Sequence, residues 1–470
     1  MQEATGPAGH WFYGHLMDLR DDSLGTLMRA FREHGDVSRL RFGPFRIYLL
    51  AHPDHIETVL RSNYQNFDKH LPTYRQLQSI LGLGLLTSDG ELWQRHRRIA
   101  QPAFHKGRLA SFGPTMVESA EGMAARWSTL ASQGGRTDLH EEMMALALEV
   151  AAKTLLGSGL RSGETQAVGE ALGSLLHEFH RRLHKLVRFP EWVPTRGHRA
   201  MGRAKATLNG VVRRIITEQR QLHGTATADI ASVEDASGGS CPFRGTDDHL
   251  LRRLMAARDD ESGAALDDHE LRDEVMTMFL AGHETTANAL TWTWILLARH
   301  PEAAQRLRQE LHRELGDRPP TAEDLPRLPW TRQVIEESMR LYPPAWVVER
   351  RVRADTVLGG YRIPRNSVVL MSPWVTHRHP GLWSDPETFD PERFSPENVQ
   401  GRHRNAYFPF SFGPRVCIGA GFARLEMPLL LATLAQRFEV LLDEPEALEL
   451  DPNITLRPRH GVPITIRKLA

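Results

Sequence analysis

The sequence predicts a mainly α-helical protein with a small β region. Apolar residues recur with helical periodicity along most of the chain, whereas strand-like runs are few and short. One helical segment, 267–299, predicts a rod of about 50 Å at 1.5 Å per residue, long enough to cross a whole molecule. A chain of 470 residues that is 41% hydrophobic can also bury a large core.

The spacing of apolar residues predicts the individual helices and strands. Amphipathic helices are predicted over 23–34, 53–62, 115–131, 139–156, 164–187, 200–222, 247–258, 267–299, 302–315, 328–341 and 420–437. Strands are predicted over 37–41, 46–50, 347–352, 361–370 and 463–467, the first two around the Gly43-Pro44 turn. Segment 224–246 is rich in small and polar residues and lacks periodicity, which predicts a mobile connection between helices.

Charge and cysteine usage narrow the classes of function. Lysine plus arginine equals aspartate plus glutamate at 58 each, so no overall field draws the protein to nucleic acid or to an anionic membrane. Two cysteines in so long a chain argue against a disulfide framework and suit a reducing compartment. Residues 1–22 lack an apolar core segment, and the longest uncharged stretch, 285–298, is shorter than the roughly 18 residues that span a bilayer. We expect a soluble, cytoplasmic monomer with no membrane anchor.

Cys417 is the most informative residue, and it lies in Phe410-Ser411-Phe412-Gly413-Pro414-Arg415-Val416-Cys417-Ile418-Gly419. A cysteine that binds iron must be a thiolate, which cations and backbone N–H groups stabilise. Gly413 and Gly419 let the backbone pass close to a flat macrocycle and permit positive φ angles that turn amides toward the sulfur. Arg415 can meet a haem propionate and Phe410 can shield the sulfur from water. A lone cysteine in a Gly-rich turn is more often structural, but the agreement of these positions favours a haem-iron site.

A second chemical block lies midway along the longest predicted helix, at Ala281-Gly282-His283-Glu284-Thr285-Thr286. Gly282 allows another group to approach the backbone closely. Threonine hydroxyls can bond a carbonyl three or four residues back, which loosens the helix and makes room for a small ligand. Glu284 beside Thr285 provides a carboxylate and a hydroxyl that can relay protons to bound dioxygen. Taken alone, the block also fits a solvated glutamate with two back-bonding threonines.

These two blocks resemble the haem-binding signature and the acid–alcohol oxygen-activation motif of the cytochrome P450 family. Ala423 and Glu426, in the helix after Cys417, also match family positions. The resemblance implies the cytochrome P450 fold, in a single haem domain over residues 1–470. It covers most of the chain, because further blocks near residues 93, 337 and 393 match as well.

The resemblance also implies an activity. The protein would be a haem-thiolate monooxygenase that inserts one oxygen atom from O2 into a hydrophobic organic substrate, by hydroxylation or epoxidation. Cys417 would be the axial ligand of haem b (iron protoporphyrin IX), and its electron density would favour O–O cleavage. Glu284 and Thr285 would be the catalytic pair that manages protons. Because the chain ends soon after Cys417, electrons are expected from a separate protein, a ferredoxin or a flavodoxin with its reductase.

A structural ion network is implied by the block Glu337-Ser338-Met339-Arg340 together with Arg393 in Pro391-Glu392-Arg393-Phe394. An exposed acid–base pair of this kind is common and stabilises little. In the family, however, Glu337, Arg340 and Arg393 would form a buried triad that holds the region before the haem loop. Removing one member would leave a buried charge unpaired, at a cost of about 3–5 kcal/mol.

Contacts with the haem propionates are implied for Trp93 and Arg97, which lie four residues apart on a predicted helix, and for Arg350. The alternative for the block around Trp93 is a basic, solvated helix face. Its other arginines, Arg95 and Arg98, can contribute to a docking surface for an acidic electron donor.

The substrate pocket is predicted from apolar character and helix geometry. Thr277, Ala281 and Thr285 share one helical face, which we expect to look onto the haem and the substrate. Part of 71–88 is expected to line the pocket as well. The predicted pocket residues are Thr277, Leu280, Ala281, Ala345, Trp346 and Val347. Their character indicates a hydrophobic ligand such as a fatty acid, terpene, steroid or polyketide.

Other interpretations remain open. His177, His180 and His184 share a predicted helix face, which we interpret as solvated and basic, with a contact to a substrate carboxylate as the alternative. Cys241 lies in no recognisable site. A haem-dependent isomerase, dehydratase or peroxygenase of the same fold would need no electron donor, and a non-enzymatic haem sensor would need no acid–alcohol pair. The intact Glu284–Thr285 pair favours dioxygen activation.

Overall fold

The computed structural model describes residues 2–43, 45–157, 164–183, 193, 195–224 and 249–469, with the side chains at 165, 166, 176, 177, 179–183 and 222–224 excepted. The interpretations of the histidine face at 177–184, of Cys241 and of segment 225–246 therefore lie outside the described residues. Of segment 224–246, only the backbone of Gly224 is described, as the last residue of a helix.

Helices dominate the described chain, so the prediction of a mainly α protein with a small β region is confirmed. The helices are α1 (Leu16–Asp21), α2 (Ser23–His34), α3 (Pro53–Glu57), α4 (Pro72–Leu81), α5 (Gly90–Ala100), α6 (Lys106–Leu109), α7 (Gly113–Ser132), α8 (Leu139–Leu156), α9 (Glu164–Leu183), α10 (Arg196–Gly224), α11 (Leu250–Ala256), α12 (Asp268–Arg299), α13 (Pro301–Leu315), α14 (Pro329–Leu341), α15 (Pro373–Thr376), α16 (Pro396–Val399) and α17 (Ala420–Ala435).

The strands are short. They are β1 (Val37–Phe42), β2 (Phe45–Leu50), β3 (Phe67–Asp68), β4 (Arg136–Asp138), β5 (Val348–Val352), β6 (Thr356–Leu358), β7 (Tyr361–Ile363), β8 (Val368–Met371), β9 (Phe438–Leu442), β10 (Leu450–Pro452), β11 (Leu456–Pro458) and β12 (Pro463–Lys468). The single strand predicted over 361–370 is wrong, because the chain turns between β7 and β8. Pro364 has no N–H to donate, and Asn366 adopts a φ of 64°.

The described chain divides into two compact units. The first comprises Met1–Leu71, Met116–Leu146 and Glu284–Ala470. Its largest sheet has the strand order β1-β2-β8-β5-β3, with β1 and β2 antiparallel and β2 and β8 parallel. Phe408 and Phe412 belong to the buried core of this sheet, so the sheet anchors the segment that leads to Cys417. The prediction of one domain over the whole chain stays a prediction.

Large aromatic side chains fix the second half of α12 within the first unit. Trp127 on α7 lies edge-on to Trp294 on α12 and to Phe438 on β9, with ring centroids 6.0 and 5.6 Å away. Trp292 stacks on Tyr342, which follows α14, at 4.4 Å. Such aromatic pairs stabilise by about 0.5–1.5 kcal/mol each beyond the burial of their surface. They hold the helix that carries Glu284 and Thr285 in place.

The second unit comprises Pro72–Thr115 and Ala147–His283. Helix α4 was not among the predicted helices, although Leu77 and Leu81 are buried on one face at helical spacing. The turn after α4 is pressed against α12, where the Leu83 N–H donates to the Asp273 carboxylate at 2.7 Å. A Cβ on Gly82, whose φ is 75°, would lie 2.1 Å from that carboxylate, so only glycine fits there.

Helix α12 runs unbroken from Asp268 to Arg299, close to the predicted 267–299. Asp268 and Glu270 lie in its first turn, where the helix dipole favours negative charge. In the part of the chain that is described, no helix is both long and apolar enough to cross a membrane.

Candidate haem-thiolate active site

The loop before α17 holds Cys417 in a defined place. The Cys417 N–H donates to the Phe410 carbonyl at 3.0 Å, and the Val416 N–H donates to the Gly413 carbonyl at 3.1 Å. Gly413 has a φ of 76°, and a Cβ there would lie 2.1 Å from the Leu60 carbonyl oxygen, so the turn requires glycine. The loop thus presents the exposed Cys417 side chain just before the first residue of α17.

The backbone conformation of Gly419, the second glycine of the loop, differs from the prediction. Gly419 has a φ of −81°, so the expectation of a positive φ at this position is wrong. Ser411 adopts one instead, at 57°, a conformation that costs a non-glycine residue on the order of 1–3 kcal/mol. A Cβ on Gly419 would lie 3.9 Å from the Cys417 sulfur, an ordinary contact. The strained position in this loop is therefore Ser411, which the sequence analysis did not single out.

Phe410 and Arg415 are both half-buried in this loop. The Arg424 guanidinium, on α17, lies 4.8 Å from the centroid of the Phe410 ring. This cation–π contact fixes the ring that was predicted to shield the sulfur.

The middle of α12 combines buried and exposed side chains in an unusual way. Ala281 and Gly282 are exposed, whereas Leu280 and His283 on either side are buried. Apart from the helix itself, no described atom lies within 4 Å of the position of a Cβ on Gly282. Because a short apolar strip is open to approach here, a flat group can lie against the helix backbone, as the sequence predicts for Ala281.

These features fit a haem. A thiol that is held at the surface of a rigid loop can become a soft anionic ligand for iron. Phe410, Gly413, Arg415 and Gly419 flank Cys417 in the sequence of the loop, and Ala281 is exposed on α12.

Glu284 is buried, with 3% of its surface exposed, and Thr285 beside it is half-buried. The Thr455 hydroxyl donates to the Glu284 carboxylate at 2.7 Å. Burial raises the pKa of Glu284, although the bond from Thr455 and the charge of Arg457 act in the opposite direction. Burial makes the proton on this carboxyl easier to retain, which suits a group that must deliver protons. The alternative of a solvated glutamate does not describe Glu284.

A second buried carboxyl, Glu426 on α17, also contacts α12. The Thr286 hydroxyl donates to it at 3.0 Å. Burial raises the pKa of Glu426 to about 8, against a smaller effect of the Thr286 bond. Glu426 is therefore largely protonated at neutral pH, and α17 meets α12 through a neutral pair.

The structure brings Glu337, Arg340 and Arg393 together. Arg340 donates to both carboxylate oxygens of Glu337, at 2.7 and 2.8 Å, and both side chains are fully buried. The Arg393 Nε lies 3.4 Å from the same carboxylate. The remaining Arg340 N–H groups donate to the carbonyls of His377, Pro386 and Thr388. Each charge in this network has several partners, which is what a buried ion network needs to be stable.

Neutral His377 connects this network to the cysteine loop. The Phe408 N–H donates to its Nε2 at 3.0 Å, and its Nδ1 lies 3.3 Å from the Arg340 carbonyl, to which it donates. Burial, helped by the nearby charge of Arg340, holds the pKa of His377 well below its usual value. The triad is thereby joined to the residues that precede Cys417.

The predicted propionate contacts lie in both units. In the second unit, Trp93 is buried on α5, and half-buried Arg97 donates through its Nε to Gln101 at 3.2 Å. In the first unit, Arg350 is buried on β5 and donates to the Glu349 carbonyl. Their contact with a propionate stays a prediction.

Arg95 and Arg98, predicted as part of a docking surface, form ion pairs within the second unit. Arg95 pairs with Glu270, and Arg98 pairs with Asp259 at 2.7 Å. These internal acids neutralise the two guanidinium groups, which weakens the argument for a docking surface built from them.

The predicted pocket residues are placed as follows. Ala345 and Val347 are half-buried, whereas Trp346 is buried and its indole N–H donates to the Asn453 carbonyl at 2.8 Å. Leu280 and Thr277 are buried in the second unit. The Thr277 hydroxyl has no hydrogen-bond partner among the described residues.

Three residues that the sequence analysis missed belong to the surroundings of Glu284. They are Thr455, Asn288 and His140, which contact one another in series. Asn288 lies one helical turn after Glu284 on α12, a local spacing, whereas Thr455 and His140 come from distant segments that no local spacing reveals.

Comparison with known proteins agrees with this geometry. The family model described as Cytochrome P450 matches residues 5–462. Cyclooctatin synthase from Streptomyces melanosporofaciens is 34% identical over 464 residues, covering 99% of this chain and 94% of that protein. Cyclooctat-9-en-7-ol 5-monooxygenase from the same organism is 35% identical over 439 residues, covering 93% and 89%.

Among solved structures, the crystal structure of the cytochrome P450DA heme domain superimposes with a TM-score of 0.84 at 26% identity, covering 100% of this chain and 98% of that one. The fold is thus shared over the whole length, and the relatives include a named monooxygenase. The chain belongs to the cytochrome P450 family, and it is a haem-dependent monooxygenase of hydrophobic substrates.

Proposed function

We propose that Cys417 is the thiolate ligand of a haem b, and that Glu284 and Thr285 handle the protons of the reaction. The observation that carries the proposal is the exposed Cys417 side chain, held by the backbone bond to Phe410 at the start of α17. The helix begins at Ala420, so its positive end lies next to the sulfur and favours the thiolate.

The haem, when bound, supplies the activation of dioxygen. Arg415 would offer a positive charge near the thiolate, and Phe410 would help to shield the sulfur from water once the haem is bound. Thr285 holds a hydroxyl on the same helix as the exposed Ala281, and Glu284, whose pKa burial raises, is the next residue to it in sequence. The protein therefore contributes binding, exclusion of water and an ordered path for protons.

We infer that the substrate is a cyclic, largely hydrocarbon molecule that carries few polar groups. The relatives support this class, because one of them is named for the oxidation of cyclooctat-9-en-7-ol at carbon 5. Thr277, Leu280, Ala281, Ala345, Trp346 and Val347 remain the proposed pocket residues. The Thr277 hydroxyl can bond the single hydroxyl of such a substrate, since it has no partner among the described residues.

Electrons are proposed to come from a separate ferredoxin or flavodoxin with its reductase, and the protein to act as a monomer in the cytoplasm. Turnover with a generic ferredoxin and reductase, compared with turnover on hydrogen peroxide alone, tests the first point. Product with the redox proteins but not with peroxide supports the proposal. Product with peroxide alone would favour a peroxygenase.

The ligand assignment is tested with Cys417→Ser. A neutral hydroxyl is a far poorer donor to iron than a thiolate, so the reduced CO complex should lose the red-shifted Soret band of the wild-type protein. Cys241→Ser is the matched control and should keep the band. A red-shifted band in Cys417→Ser would show that another residue ligates the iron.

A further inference from the structure

Glu284 ends a chain of hydrogen bonds whose donors all point toward it. The His140 Nε2 donates to the Asn288 Oδ1 at 3.0 Å, and the Asn288 Nδ2 donates to the Thr455 Oγ1 at 3.0 Å. The Thr455 hydroxyl then donates to the Glu284 Oε1 at 2.7 Å. Asn288 and Thr455 are buried, and His140 at the start of α8 is half-buried.

The direction of this chain is fixed by the chemistry of its members. The Asn288 amide nitrogen can only donate, so Thr455 accepts from it and directs its one hydroxyl proton to the Glu284 Oε1. That oxygen accepts both as a carboxylate oxygen and as the carbonyl oxygen of the protonated acid. The amide oxygen of Asn288 must in turn accept from His140. An amide does not pass a proton along readily, so the chain orients the Thr455 hydroxyl rather than conducting protons.

The hairpin that carries Thr455 is itself held on two sides. The Leu456 N–H donates to the Pro344 carbonyl at 2.9 Å, and the Trp292 indole on α12 donates to the Leu456 carbonyl at 3.1 Å. The Trp346 indole donates to the Asn453 carbonyl at 2.8 Å. The β10–β11 hairpin is thus tied both to α12 and to the proposed substrate segment 345–347.

The charge of Arg457, on β11, lowers the pKa of Glu284 and so opposes the effect of burial. Arg457 itself forms an ion pair with Asp451 on β10 at 3.1 Å. Burial lowers the pKa of His140 and the charge of Arg457 acts in the same direction, while the bond to Asn288 and the charge of Asp138 oppose it. Because the Asn288 Oδ1 can only accept, His140 donates to it through Nε2. Thr455 is the residue that donates directly to the Glu284 carboxylate.

We propose that Thr455 is a positioning residue for the reaction: it holds the Glu284 carboxylate toward the β10–β11 hairpin and sets its affinity for a proton. Asn288 and His140 fix the direction of the Thr455 hydroxyl. The inference deepens the proposed function, because it rests on the role given there to Glu284. Proton delivery then requires Glu284 to leave Thr455, and the strength of that one hydrogen bond sets the pH range over which delivery works.

The test compares Thr455→Val, which removes the hydroxyl at equal volume, with Thr455→Ser, which restores it. The infrared C=O stretch of protonated Glu284 is followed against pH in the haem-loaded, reduced CO form, with Glu284→Gln identifying the band. Loss of a hydrogen bond to a charged group should raise the pKa of Glu284 by about one to two units in Thr455→Val. Thr455→Ser should titrate like the wild type, and Asn288→Leu should shift the pKa in the same direction but by less.

The same variants are assayed for product formed per reduced nicotinamide consumed, as a function of pH. The pH at which coupling falls by half should rise in Thr455→Val by as many pH units as the infrared titration shows for the pKa of Glu284. An unchanged infrared titration in Thr455→Val would overturn the inference. A shifted titration with an unchanged coupling profile would establish the contact but overturn the role of Glu284, so the two failures are distinguishable.

Discussion

Two regions of the first unit each bury a glutamate, and the two glutamates have very different partners. Glu337 accepts two bonds from Arg340 and one from the Asp390 N–H at 2.9 Å, with Arg393 nearby. Glu284 accepts one hydroxyl bond from Thr455. The comparison teaches that burial alone does not mark a functional carboxyl. Burial raises the pKa of both carboxyls, and their partners oppose that rise. At Glu337 the opposing partners are chiefly two guanidinium groups, whereas at Glu284 they are a hydroxyl and the charge of Arg457, so a change of protonation disrupts fewer strong contacts at Glu284.

The largest expected effect is on the well-paired glutamate. Arg340→Ala should leave Glu337 buried without its main partner, which costs about 3–5 kcal/mol. Low soluble expression and low haem content per chain are the expected results, measured by absorbance against protein concentration. Arg362→Ala, which breaks the exposed pair with Asp355, is the matched control. A stable, fully haem-loaded Arg340→Ala protein would remove the triad from this account.

A large effect on chemistry, without loss of fold, is expected at the catalytic pair. Thr285→Ala should bind haem and melt like the wild type but release hydrogen peroxide in place of product, because the hydroxyl that steers protons is gone. A positioned proton-transfer group typically contributes about 10²–10⁴-fold, so product per reduced nicotinamide should fall at least severalfold. Thr285→Ser should recover most of the coupling. Unchanged coupling in Thr285→Ala would exclude the role given to this residue.

The effect expected at Glu426 appears only as a pH dependence of stability. Its folded pKa of about 8 lies above the usual 4.5, so the folded protein holds this proton while the unfolded chain releases it. The contribution to stability is complete below about pH 4.5 and is lost as the pH rises toward about 8. Glu426→Gln, which cannot ionise, should therefore gain melting temperature over the wild type as the pH rises from about 5 to 8.

The matched control for this experiment is Glu446→Gln, an exposed position. Its melting temperature should follow that of the wild type across the same pH range. A constant difference between Glu426→Gln and the wild type at all pH values would mean that the Glu426 carboxyl does not titrate in this range.

Local patterns predicted much of the fold. The bounds of α2 and α8 were predicted to the residue, and α12 to within one, because their apolar faces repeat at helical spacing over many turns. The prediction of one strand over 361–370 was wrong because Pro364 and Asn366 impose a turn within that range. The apolar residues on both sides of the turn obscured it in the sequence.

The candidate site was predictable where its residues are neighbours in sequence, as in the loop from Phe410 to Gly419. It was not predictable where contacts join distant segments. The bond from Thr455 to Glu284 spans 171 residues, and that from His140 to Asn288 spans 148. Such contacts are set by the packing of α8, α12 and the β10–β11 hairpin, which no local spacing encodes.

The most direct test of the contrast between the two glutamates measures haem content and coupling together in Glu284→Gln and Glu337→Gln. The account predicts that Glu284→Gln is fully haem-loaded but forms far less product per reduced nicotinamide, whereas Glu337→Gln loses haem. A Glu284→Gln enzyme that couples like the wild type would contradict the assignment of Glu284 to proton delivery, and with it the central distinction drawn between the two buried carboxyls.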